Sequence, residues 1–181
     1  MDNLLKDLLI TRDRASFYLF YFIKKGWWRV IQSYKNRITP LIANDDSVVF
    51  DKDCIRTNSC KGYGSWLCHN EGSANYDIVK CGQYIVKFNA TVSSAAAGVV
   101  AFALYNNGEL IPGTLMAETL AAAGDYANIG INKEICVCCN GHANISVRSV
   151  DTVPTPTDPT TPIETQVPII ASANLVIDRR A

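Results

Sequence analysis

The chain has 181 residues, 48% of them hydrophobic and 19% charged. That suits one domain with a core of its own and excludes a disordered tail or two full domains. The formal net charge is zero, which speaks against a dedicated nucleic-acid binder. The balance hides an asymmetry, because residues 1–44 carry eight Lys or Arg against three Asp or Glu and the remainder is acidic; two surfaces with different partners are expected.

Residues 2–35 read as helix. Leu4, Leu5, Leu8 and Leu9 recur at helical spacing, Thr11 or Asp13 can cap a second stretch through Lys25, and no proline precedes Pro40. Gly26 breaks the segment, and Trp27-Trp28-Arg29-Val30-Ile31 resumes it. Its longest apolar run, Phe17 to Ile23, ends at Lys24 and Lys25, well short of the roughly twenty residues that cross a bilayer. A helix apolar nearly all round needs a partner. Trp, Tyr and Arg dominate interface hot spots, so Phe17, Tyr18, Phe20, Tyr21, Trp27, Trp28, Arg29, Tyr34 and Arg37 are the expected docking residues. Packing on its own domain, a trimer stalk and a membrane-surface helix are the alternatives. Residues 1–44 are thus read as a basic, aromatic helical anchor. No signal-peptide pattern opens the chain, which implies synthesis in a reducing cytosol.

After Pro40 the rhythm changes. Asn44-Asp45-Asp46-Ser47 is a turn cluster, and short apolar stretches follow, punctuated by Gly, Asn or Asp. Strands are expected at Val48–Phe50, Trp66–Cys68, Tyr76–Val79, Tyr84–Val92, Val99–Tyr105, Glu109–Ile111, Ala127–Ile131, Ile135–Cys138, Ile145–Val150 and Leu175–Ile177. Tyr84, Val86, Phe88, Ala90 and Val92 share one face, as do Val100, Phe102 and Leu104, and both sets are expected core. Tyr105-Asn106-Asn107-Gly108-Glu109 is a hairpin signal, since Asn-Gly accepts the positive φ of a tight turn. Five prolines among threonines make 152–168 an extended loop that returns the chain to a final strand. The expectation is an all-β antiparallel jelly-roll sandwich of about ten strands over 45–181, preceded by the α-helical anchor.

Chemistry is sparse. His69 and His142 are the only histidines. Cys68 adjoins His69, but on a strand the two side chains point to opposite faces, so no nucleophile pair forms. No phosphate loop, Gly-x-Ser-x-Gly, His-Glu-x-x-His or calcium loop occurs. The seven cysteines leave three readings open: buried thiols acting as small hydrophobes, pairing after release into an oxidising medium, or zinc. The last is disfavoured because Cys136-Val137-Cys138-Cys139 lacks Cys-x-x-Cys spacing. No enzyme activity, cofactor or metal is expected.

Gly82–Val92, Val100–Gly113, Val137–Ile145 and the ending Asn174–Ile177 together resemble the tumour-necrosis-factor/complement type of jelly roll. Within it they are most similar to the C-terminal head of collagen-like exosporium proteins and its phage virion relatives. The resemblance implies a homotrimer that binds partners and does no chemistry. The chain lacks a Gly-x-y stalk and carries the aromatic segment in its place. That arrangement resembles phage virion proteins, in which a short anchor sits in the particle and a trimeric head projects. The expected role is a virion decoration or fibre-like protein, held to capsid or tail proteins through residues 1–44 and contacting a host-surface glycan or protein. The alternative is a spore- or cell-surface adhesion or lectin-like module tethered by a membrane-surface helix.

Overall fold

Alternation over Gln83–Val92 puts Tyr84, Val86, Phe88 and Val92 wholly inside and leaves Gln83, Lys87 and Asn89 in solvent, as a strand buried on one face requires. The computed structural model describes residues 30–41, 43–56, 66–138, 141–154 and 162–180. Along the chain the strands are β1 (Val30–Lys35), β2 (Thr39–Pro40), β3 (Lys52–Arg56), β4 (Leu67–Cys68), β5 (Tyr76–Ile78), β6 (Gly82–Ser94), β7 (Gly98–Asn106), β8 (Glu109–Leu110), β9 (Met116–Leu120), β10 (Ala127–Val137), β11 (Ala143–Ser149), β12 (Thr152–Val153), β13 (Ile163–Glu164) and β14 (Pro168–Arg179). One six-stranded sheet runs β10-β6-β14-β1-β3, with β2 added on β14. The other runs β4-β5-β11-β7-β8, with β9 added on β7. Every strand pair is antiparallel.

The core lies between the sheets. Phe88 on β6 meets Phe102 on β7 with ring centroids 5.8 Å apart, and Phe50 stands edge-on to both Phe88 (6.5 Å) and Tyr76 (6.0 Å). Edge-to-face and tilted contacts suit the ring quadrupoles. Each of these rings is fully buried, and removing one would cost about 3–5 kcal/mol. Asn107 and Gly108 have φ of +52° and +85°, the two positive values of a type I′ turn, so β7 and β8 close as the Asn-Gly pair requires. Within 152–168, β12 pairs β13 before Pro168 opens β14.

Two expectations are corrected. Val30–Lys35 is a strand, not the end of a helix: β1 lies between β14 and β3. The β domain therefore begins well before residue 45. Its signal was hidden because its inward positions alternate Ile31, Ser33 and Lys35, so two of the three buried residues are polar. The two strands expected in 127–138 are one, β10, which continues through Asn132-Lys133-Glu134 with unbroken register against β6. Residues 1–29, which carry the rest of the expected helical anchor, lie outside the described residues.

Candidate functional site

The outer face of the β10-β6-β14-β1 sheet holds a cleft of about 710 Å³. Successive strands point Asn128, Asn89, Asn174 and Gln32 outward at neighbouring positions, and Asn36 stands at one end. Gln32 Nε2 donates to Asn174 Oδ1 at 3.3 Å, and Thr91 Oγ1 donates to Asn128 Oδ1 at 2.8 Å. The floor is low because Gly130 sits between the amides. A Cβ there would come 3.2 Å from Asn89 Oδ1. The lining has no ionisable group other than the Tyr34 phenol. Such a surface offers paired donors and acceptors without formal charge, which suits a neutral polar partner.

The serine, aspartate and histidine side chains that could in principle do chemistry lie elsewhere, inside the protein. Ser33 Oγ on β1 donates to Asp53 Oδ1 on β3 at 2.5 Å. His69 Nδ1 lies 3.0 and 3.1 Å from the two Asp53 carboxylate oxygens, and its Nε2 faces the Ser73 carbonyl at 3.2 Å. The imidazole also stacks on Tyr76 with ring centroids 3.9 Å apart and planes parallel to within 1°. Burial pushes the Tyr76 phenol far above its ordinary value, with the Ser33 hydroxyl partly opposing and the Asp53 charge adding to the rise. Serine, aspartate and histidine are all present, but the order is wrong for acyl transfer. The carboxylate stands between serine and imidazole, whereas a general base must reach the nucleophile itself. Both ring nitrogens face oxygen acceptors, and the side chains of His69 and Asp53 are 0% and 2% exposed, so no substrate reaches them. The cluster pins β1 and β3 of one sheet to the β4–β5 turn of the other.

Of the expected docking residues, Tyr34 lines the cleft from β1 and Arg37 is exposed just beyond that strand. Phe17, Tyr18, Phe20, Tyr21, Trp27, Trp28 and Arg29 lie outside the described residues. Cleft residues Asn89, Asn128 and Asn174 were missed as a site. Each is an ordinary outward polar residue on its own strand, and only the pairing of β10, β6 and β14 gathers them. The reading of the cysteines as buried thiols fails for all five described: Cys54, Cys81, Cys136 and Cys138 are exposed and Cys68 is half-buried, because they fall on outward strand positions or at strand ends. Among the described residues no three His, Cys, Asp or Glu side chains are grouped so as to hold a metal ion.

No family model and no curated protein matches the chain. Solved structures do. The globular domain of zebrafish complement 1qA protein superposes with a TM-score of 0.53 at 8% identity, covering 84% of this chain and 99% of that one. Murine APRIL gives a TM-score of 0.48 at 13% identity, covering 83% and 98%. At these identities the likeness is one of fold. The antiparallel two-layer architecture is a jelly roll with the fold of the complement 1q globular domain, which agrees with the fold that the resemblance of Gly82–Val92 and Val100–Gly113 implied.

Proposed function

Starting from that complement-type jelly roll, we propose that the chain is a non-enzymatic display module. It assembles as a homotrimer at a virion surface, with the segment before Val30 docking it to capsid or tail proteins. The observation that carries this reading is the contrast between its two polar sites. The Ser33-Asp53-His69 cluster is sealed inside the fold, while the amide-lined cleft is open and uncharged. A protein whose reactive groups are spent on structure and whose open surface is a hydrogen-bonding face is built to bind. We assign that face to the neighbouring subunit: half-buried Val30, Ile85 and Val176 flank the amides on the same side of the sheet, giving the mixed apolar and neutral polar surface of a subunit interface.

Light scattering on the purified full chain at micromolar concentration should give three times the chain mass. Replacing Asn89 by Arg puts an unpaired charge into the cleft and should dissociate the trimer while the β-sheet circular dichroism persists. A monomeric wild-type chain would end the trimer reading. A trimer indifferent to Asn89→Arg would move the interface elsewhere and leave the cleft for an external ligand such as a host-surface glycan. The virion role is tested by immunogold labelling of particles, and the docking role by loss of incorporation when residues 1–29 are deleted.

A further inference from the structure

We propose that Cys81 and Cys138 are a cross-strand disulfide site, closed by thiol–disulfide exchange when the protein meets an oxidising medium. The register between β6 and β10 pairs Gln83 with Cys136 and Gly82 with Val137, so the next position along the two chains sets Cys81 opposite Cys138. Hydrogen bonding decides what kind of pair this is. Arg180 N donates to the Gln83 carbonyl at 2.9 Å, and the Arg179 guanidinium donates to the Cys81 carbonyl at 2.9 Å. Residues 81 and 83 therefore turn their backbone groups toward β14. Because these groups alternate sides along a strand, Gly82 turns its own toward β10. Gly82–Val137 is thus the hydrogen-bonded pair, and Cys81–Cys138 is a non-hydrogen-bonded one. In such pairs the Cα atoms stand about 4.5 Å apart with their side chains closest, inside the roughly 4.4–6.8 Å that a disulfide spans.

The faces agree. Tyr84, Val86 and Val137 point inward, which sends Cys81 and Cys138 outward, and both are exposed to a dissolved oxidant. Cys136 is also exposed and on that face, but it is opposite Gln83. It is therefore diagonal to Cys81, where Cα atoms are about 7–8 Å apart, too far for a bond without backbone movement. The reaction needs only a low-molecular-weight disulfide. One cysteine thiolate attacks it, forming a mixed disulfide and releasing one thiol. The second cysteine then attacks the mixed disulfide and releases the other thiol. Two protein thiols are oxidised, one disulfide is reduced to two thiols, and the bridge ties the start of β6 to the end of the sheet's edge strand β10. None of this depends on the trimer reading.

The test uses the native full chain equilibrated with oxidised and reduced glutathione, blocked with N-ethylmaleimide and digested with trypsin without reduction. Cleavage at Lys80, Lys87, Lys133 and Arg148 places Cys81 in one peptide and Cys136, Cys138 and Cys139 in another. We expect these two peptides to be joined in the wild type, in Cys136→Ser and in Cys139→Ser, and separate in Cys138→Ser. Oxidation should raise Tm by about 5–10 °C in the wild type and not in Cys81→Ser. Full alkylation of Cys81 after oxidation, a bridge that survives Cys138→Ser, or oxidation without that rise in Tm would overturn the assignment.

Discussion

His69 shows how a reactive residue becomes a structural one. Asp53 holds its Nδ1, the Ser73 carbonyl faces its Nε2, and Tyr76 covers its ring face, so the imidazole is fixed in place and closed to solvent. Asp53 is the hub, since Ser33 and His69 both bond to its carboxylate. Asp53→Ala would leave two buried polar side chains without that partner and should lower the unfolding free energy by about 3 kcal/mol, read from urea denaturation. The neighbouring phenol makes a second, pH-dependent prediction. Burial raises Tyr76 above its ordinary value of 10.0, so the native state keeps a proton that the unfolded chain releases. Stability from this group is complete below pH 10 and falls as pH rises beyond it, by about 1.4 kcal/mol per pH unit. Tyr76→Phe should flatten that alkaline slope. Tyr105, raised mainly by burial with the Asp45 charge adding, keeps a smaller one of the same sign.

At the scale of elements, β1 carries the clearest lesson. It pairs on both sides, with β14 through six residue pairs from Val30–Asp178 to Lys35–Ala173 and with β3 across a bulge at Gln32/Ser33. A chain begun at residue 45 should therefore lack cooperative unfolding in circular dichroism, because β14 and β3 would each lose their shared neighbour. A chain begun at residue 30 should retain it. The polar inward residues that disguised this strand are satisfied only in three dimensions. Ser33 reaches Asp53, twenty residues on, and Lys35 Nζ donates to the Val49 carbonyl at 3.1 Å. β6 and β7 were legible because their inward Tyr84, Val86, Phe88, Ala90 and Val92, and Val100, Phe102 and Leu104, are apolar, and the β7–β8 turn because Asn107-Gly108 states its own geometry. β3, with Lys52, Asp53 and Arg56, has no apolar alternation to read. Val48 and Phe50, read as part of a strand, are fully buried, yet only Ser47 bridges across to Arg148; the apolar signal was real, but it marked burial without a ladder.

For the whole molecule, the proposed trimer and the fold should be one equilibrium. If the cleft face packs on a neighbouring copy, unfolding dissociates the assembly, and the urea midpoint should rise with protein concentration. A midpoint independent of concentration over a hundredfold range would mean that each subunit is stable alone. The chain by itself determined its class, its best strands and its tight hairpin. Those follow from residue alternation and local φ preferences, which act over a few neighbours. It could not determine that Ser33, Asp53 and His69 neutralise one another's chemistry, that five carboxamides line one cleft, or that Gly82 pairs with Val137 beside two cysteines. Those are matters of sheet order and register, decided when the two sheets close over a shared core and distant outward or polar residues become neighbours.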